Sequence, residues 1–427
     1  MPRRRTTATR PSARASLGAL VLSALSTLAP ASDASPRLPP GPTAWTDAEL
    51  GAIRGITVGP IENALHPDAG YGTAKGRAAL LEAKRMGATW VAVTPFGRVW
   101  DLSGVGVGLV FEAPLEQNTR DIAAAIEDAH AIGLKVMLVP HLWVESGGWR
   151  ALIDPGDDAG WRRWTQSYAR FLLHWAEVAD ATGVDLLSVG VELRSWVTTS
   201  RASSFVDLIA EVRTRYAGPL TYSANWDDVG HTLVWDDLDL IGINAFYPLT
   251  KKEDARYVDL AAGARAVAAD LEQLAGTWQR PILLTEMGYT TRADPALEPW
   301  KWPDGMKDVQ IDQKAQAIAT QALLAPLVDA PWCAGFFVWR TYADPGDVSQ
   351  EAEWGFSPRG KLAELVLRDA FVTTWAADGQ GTWGSWAGLL PTSGRWLTHG
   401  RWGAHRARTP GVHAWEMSPD VDVWLVQ

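Results

Sequence analysis

Two glutamates carry the chemistry this sequence offers most directly. Glu192 follows the apolar run Val184–Val189 through Gly190-Val191, and Glu286 closes the run that begins Ile282–Thr285. Each sets a carboxyl after an apolar segment, where it must face an opening or be buried at high cost. Two carboxyl groups facing across a cleft suit glycoside hydrolysis. One donates a proton to the leaving oxygen and the other attacks the anomeric carbon, with configuration retained when the groups lie about 5–5.5 Å apart. The expected pH dependence is a bell, its acidic limb from the nucleophile and its higher limb from the acid.

Competing chemistries find little support. The eight histidines form no HExxH motif and no paired ligand spacing, and no G-x-S-x-G elbow is present. The single cysteine, Cys333, excludes an internal disulfide and a thiolate metal site. No zinc site is expected. The acidic pairs Asp227-Asp228 and Asp236-Asp237 read as solvated loop charges.

The elements that must position the two glutamates are legible as an alternation. Strand signals fall at Ile53–Val58, Thr89–Thr94, Lys135–Pro140, Val184–Val189, Leu220–Ala224, Leu240–Asn244, Ile282–Thr285 and Gly335–Trp339. They are continuous apolar runs, as expected of parallel strands buried on both faces. Helical patterns separate them at Ala74–Met86, Asp121–Ile132, Trp161–Ala181, Ser204–Tyr216, Tyr257–Trp278, Gln313–Val328 and Leu362–Ala370. Gly87 and Gly133 suit left-handed caps. Only a short stretch around Val229–Trp235 links the fifth strand to the sixth. Eight such units predict an α/β fold, the (β/α)8 TIM barrel, over residues 53–371. The glutamates are 94 positions apart, three βα units, and so fall on strands four and seven. Barrel enzymes carry their catalytic groups at the C-terminal ends of strands.

Other strand ends supply groups that would hold a sugar. Strand three runs on into His141-Leu142-Trp143, strand five ends in Asn225-Trp226, strand six leads from Asn244 to Tyr247, and strand eight ends in Trp339-Arg340. Trp339 suits the apolar floor beneath the sugar being cleaved, and Trp143 and Trp226 suit stacking. Tyr247 is expected to donate a hydrogen bond to Glu286, holding that carboxylate ionised. The sequence has 24 tryptophans, whose flat rings with one N–H donor match the apolar faces and polar edges of sugars.

The N-terminus has the three parts of a secretory signal peptide. Five arginines lie between Arg3 and Arg14, an apolar run follows from Leu17 to Leu28, and small residues reach Ala34. That run is too short for a permanent membrane anchor. Residues 1–34 are therefore expected to be removed on export, leaving a secreted or periplasmic protein, with residues 35–52 as a Pro-rich lead-in. Without the five arginines and Asp33, the net charge falls from −10 to −14. Such an acidic chain is a poor partner for nucleic acid. Residues 372–427 carry seven of the tryptophans, many glycines and a strand-like end at Val421–Val426. They are expected to form a β-rich extension.

The residues at the strand ends resemble those of clan A glycoside hydrolases, and within that clan they are most similar to glycoside hydrolase family 113, the β-1,4-mannanases. The segments that carry the resemblance are Lys135–Trp143, Val184–Ser195, Leu240–Tyr247, Leu283–Gly288 and Trp354–Lys361. The resemblance implies a retaining double displacement on mannan or manno-oligosaccharides, with Glu192 as acid/base, Glu286 as nucleophile and no cofactor. Val191 stands where many clan A enzymes carry an asparagine that bonds the sugar 2-hydroxyl, so His141 and Asn244 become the candidates for that contact. Two alternatives remain open: a β-glycanase acting on glucan or galactan, and a non-catalytic polysaccharide-binding barrel.

Overall fold

In the computed structural model, residues 52–59, 68–111, 113–301, 309–345 and 353–373 are described, together with the backbone of 414–417 and 423–426. The expected signal peptide and most of the lead-in and extension lie outside these residues. Eight parallel strands close a barrel: β1 (Ile53–Gly59), β2 (Trp90–Val93), β4 (Lys135–Leu138), β6 (Leu186–Val191), β7 (Leu220–Asn225), β8 (Leu240–Asn244), β9 (Ile282–Met287) and β10 (Cys333–Tyr342). Helices α1 (Ala74–Met86), α2 (Leu115–Ala131), α3 (Asp158–Thr182), α4 (Arg194–Val197), α5 (Ala202–Val212), α6 (Tyr257–Trp278), α7 (Gln313–Leu324) and α8 (Leu362–Val372) lie between and after them. Between β7 and β8 there are only two short 3₁₀ turns, Val229–His231 and Trp235–Asp237.

The strands read as unbroken apolar runs because both of their faces are covered, and every residue of β6, β7 and β9 is buried. Alternation still sorts them by side. Trp90 and Ala92 of β2 join Ile53, Met137, Leu186, Val191, Leu240, Leu283 and Phe337 in one apolar cluster inside the barrel. Val91 and Val93 pack with the helices in the other cluster. Gly55 has a packing reason: a Cβ there would meet the Phe337 ring at 2.1 Å.

The helix limits follow local chemistry. Thr73 accepts from the Gly76 N–H (3.0 Å) at the start of α1, and Gly87 closes it at φ 102°. Asp157 caps α3 through the Gly160 N–H (2.7 Å), and Gly183 closes it at φ 68°. The sequence places α1 and α6 at the observed limits and begins α2 six residues late, because the first turn of α2 is polar. It also begins the fourth barrel strand two residues early. Asp185 belongs to the connection, where its carboxylate accepts from the Val136 N–H (2.8 Å) and from Lys135 Nζ (3.1 Å).

One layer was not anticipated. The run from Lys135 to Trp143 is not one strand. β4 stops at Leu138, and β5 (His141–Val144) pairs in parallel with β3 (Phe96–Val99) as a separate two-stranded sheet. Pro95 and Pro140 sit at matching breaks and each removes a ladder donor. In the C-terminal region, β11 (Ala414–Met417) and β12 (Val423–Val426) pair antiparallel.

Candidate active site

The ladder between β6 and β7 slips between Ser188 and Val191, immediately before Glu192. Val191 consequently faces the barrel interior, while Glu192 turns out of the strand in the left-handed region at φ 52°. That conformation is costly for a residue with a side chain and is held by its surroundings. The Glu192 N–H donates to Ser223 O (2.8 Å), and the next N–H, of Leu193, donates to the Tyr222 hydroxyl (2.5 Å). β9 delivers Glu286 opposite Asn244 of β8, after a second register slip.

Both glutamates are buried, 7% and 8% exposed, yet their surroundings differ. Glu192 Oε2 accepts from Trp149 Nε1 (2.8 Å) and from Arg150 Nη1 (2.6 Å). Its Oε1 accepts from Asn244 Nδ2 (3.0 Å), and Thr285 Oγ1 in turn donates to Asn244 Oδ1 (3.0 Å). Both ends of the Asn244 amide are thus used inside the protein. Glu286 shares the Asn244 amide and has no comparable set of donors. Burial and the charge of Glu192 push its carboxyl up to about 8, with Arg150, Arg340 and the Asn244 side chain offsetting part of that rise. The sequence did not reveal the donors on Glu192.

The remaining candidates divide into those near the pair and those that face elsewhere. His141 is buried against Phe96 (centroids 4.9 Å apart). Burial, then the neighbouring charge of Arg150, holds its pKa well below the usual histidine value, so it is neutral and able to donate or accept. Trp339 is half-buried, joined to Arg340 by a cis peptide bond, with that guanidinium 4.6 Å from its ring. Trp143 stands on the outer sheet, 52% exposed and edge-on to Phe96 and Phe111, with no bond to either glutamate. Trp226 stacks on Trp300 (5.1 Å, 25°), a partner the sequence gave no reason to single out. Asn225 donates to Asp227 (2.5 Å).

Two expectations are corrected. Tyr247 does not donate to Glu286. It is pressed edge-on against Trp226 (5.6 Å), so its ring serves the aromatic wall and not the carboxylate. Asp227-Asp228 is not a solvated pair, because Asp228 is 4% exposed and both carboxylates bind Arg194. Trp149, Arg150 and Arg194 were missed altogether. A lone cation in a short turn has no periodicity to expose it. Among the described residues, no three His, Cys, Asp or Glu side chains gather as a metal site.

A family model described as Glycoside Hydrolase Family 113 matches residues 65–357. The family 113 β-mannanase from Alicyclobacillus acidocaldarius, solved in complex with ManMIm, is 28% identical. That match covers 76% of this chain and 98% of the other, with TM-score 0.65. A family 113 β-1,4-mannanase, also solved as a complex, is 24% identical over 75% of this chain and 99% of the other, with TM-score 0.63. A β-glucuronidase from Ruminococcus gnavus is 13% identical over 75% of this chain and 50% of the other (TM-score 0.51), a likeness of fold alone. No curated protein matches the chain.

Proposed function

Because the chain belongs to glycoside hydrolase family 113, its model matching residues 65–357, we propose that this glycoside hydrolase is a retaining β-1,4-mannanase, with Glu286 as nucleophile and Glu192 as general acid/base. The observation that carries the reading is the pair itself. Two carboxyls are buried, one just past β6 and one on β9; the charge of the first raises the second, and three donors hold the first. Paired carboxyls with opposed environments are what double displacement requires.

In the first step the Glu286 carboxylate attacks the anomeric carbon while Glu192 gives its proton to the leaving oxygen. The glycosyl–Glu286 ester forms as the glycosidic bond breaks. In the second step Glu192 takes a proton from water, which attacks the same carbon and releases Glu286. Double displacement needs Glu286 ionised and the proton on Glu192 before the first step. Trp339 provides an apolar face and His141 a neutral donor for the sugar. Asn244, occupied by Glu192 and Thr285, serves the acid/base; His141 is the stronger candidate for the 2-hydroxyl.

Product analysis by NMR on mannan and manno-oligosaccharides tests this reading. Products released first as the β-anomer support it. Inversion rejects the nucleophile assignment, and cleavage of cellulose or galactan in place of mannan rejects the substrate. Binding of one glycan without turnover rejects catalysis. We further propose that residues 1–34 direct export. Sequencing the N-terminus of the mature protein from cell fractions checks this, and a product still starting at Met1 in the cytoplasm counts against it.

A further inference from the structure

Three loops converge on Glu192 in a way the double displacement does not itself explain. The Trp149 indole, from the loop after β5, donates its only N–H to Glu192 Oε2 (2.8 Å). The Arg194 guanidinium, two residues beyond Glu192, lies 4.6 Å from the centroid of that same indole. Arg194 is itself held by the loop after β7: its Nε donates to Asp228 Oδ2 (2.8 Å), and its Nη2 donates to Asp227. Asp228 is almost wholly buried, and Asn225 steadies Asp227.

The order of these contacts matters. A ring that donates one N–H can still rotate about that bond and swing the acceptor with it. A guanidinium lying over its face removes that freedom, and two carboxylates fix the guanidinium's plane. Only arginine does both at once: a lysine ammonium is a point charge that cannot cover a ring and bind two carboxylates in one plane. We propose that Arg194 is a positioning residue for the general acid. Clamped by Asp227 and Asp228, it locks the Trp149 ring so that the indole N–H fixes the rotation of the Glu192 carboxyl that protonates the leaving oxygen. This rests on the assignment of Glu192 as acid/base.

The test uses leaving-group dependence. A manno-oligosaccharide leaves as a poorly acidic alcohol and needs the proton, whereas a dinitrophenyl β-mannobioside expels a good leaving group without it. kcat/KM isolates the glycosylation step for both. Trp149→Phe keeps the ring and removes the donor, and Arg194→Lys keeps the charge and removes the plane. Each is expected to lower kcat/KM about 10- to 100-fold on the oligosaccharide and under about threefold on the dinitrophenyl substrate, a fraction of the full worth of a general acid. Glu192→Gln sets the scale, with a larger loss on the oligosaccharide and the same sparing of the activated substrate. If Glu192→Gln behaves so while Trp149→Phe and Arg194→Lys lose equally on both substrates, or on neither, the positioning role is overturned alone. If Glu192→Gln shows no leaving-group dependence, the acid/base assignment falls and the positioning role falls with it.

Discussion

The end of β6 and the end of β9 each deliver a glutamate to the same mouth, yet the protein treats the two differently. Around Glu192 it gathers an indole N–H and a guanidinium from the segment after β5 and an amide from β8. Around Glu286 it offers burial and the repulsion of Glu192, offset only in part by Arg150, Arg340 and the shared Asn244 amide. A charge on Glu192 is solvated by the protein, whereas a charge on Glu286 is penalised. The lesson is that symmetric placement on a barrel does not produce symmetric chemistry. The asymmetry comes from which loops reach each carboxyl.

The largest effect expected from this contrast is on rate. Glu286→Gln and Glu192→Gln should each lower kcat on mannan by about 10³-fold or more, measured by reducing-sugar release. Near-normal turnover in either variant would remove that glutamate from the mechanism.

The second effect is on stability and concerns Glu286. The folded value of Glu286, about 8, lies above its ordinary 4.5. Its contribution to stability is therefore fully present below the ordinary value and is lost as pH rises through about 8. Glu286→Gln has no charge to bury, so it should be more stable than the natural protein at pH 9 by roughly 2–4 kcal/mol. The gain should shrink toward zero near pH 4. Urea unfolding at the two pH values measures it, and a gain independent of pH would mean that charge burial is not its cause.

A third experiment addresses the donors. Arg150→Met leaves Glu192 with one partner fewer in a buried setting and should lower stability by about 1–3 kcal/mol at neutral pH. In a Glu192→Gln background the same change should cost far less, since no charge is left unpaired. Equal costs in the two backgrounds would show that Arg150 acts through packing alone.

The smallest effect concerns the aromatic wall. Trp300→Ala removes the ring stacked on Trp226. The stack contributes about 0.5–1.5 kcal/mol beyond burial, so KM should rise a few-fold on long manno-oligosaccharides. KM for the shortest cleaved substrate should be unchanged. A uniform rise with chain length would place the stack outside the path of the glycan.

How much of this was legible in the sequence depended on whether a residue's neighbours in the chain are also its neighbours in space. Glu192 and Glu286 were found because a parallel strand covered on both faces reads as an unbroken apolar run, and a carboxyl at its end is conspicuous. The α1 and α6 limits were found because their capping and periodicity are local. His141 and Trp143 were read as the end of one strand, but they belong to a second sheet that Pro95 and Pro140 separate from the barrel. Tyr247 was given a partner on a strand whose side-chain directions the sequence does not fix, and the fold turned its ring to Trp226 instead.

The sequence by itself determined the barrel, the strands that bear the two glutamates and the reaction class those residues suit, because each rests on patterns within a few turns or strand lengths. Only the tertiary structure decided which donors reach which carboxyl. Trp149, Arg150, Arg194, Asp228 and Asn244 come from four separate segments of the chain. Their meeting around Glu192 follows from loop paths and two register slips in the ladder, and no spacing in the sequence records either.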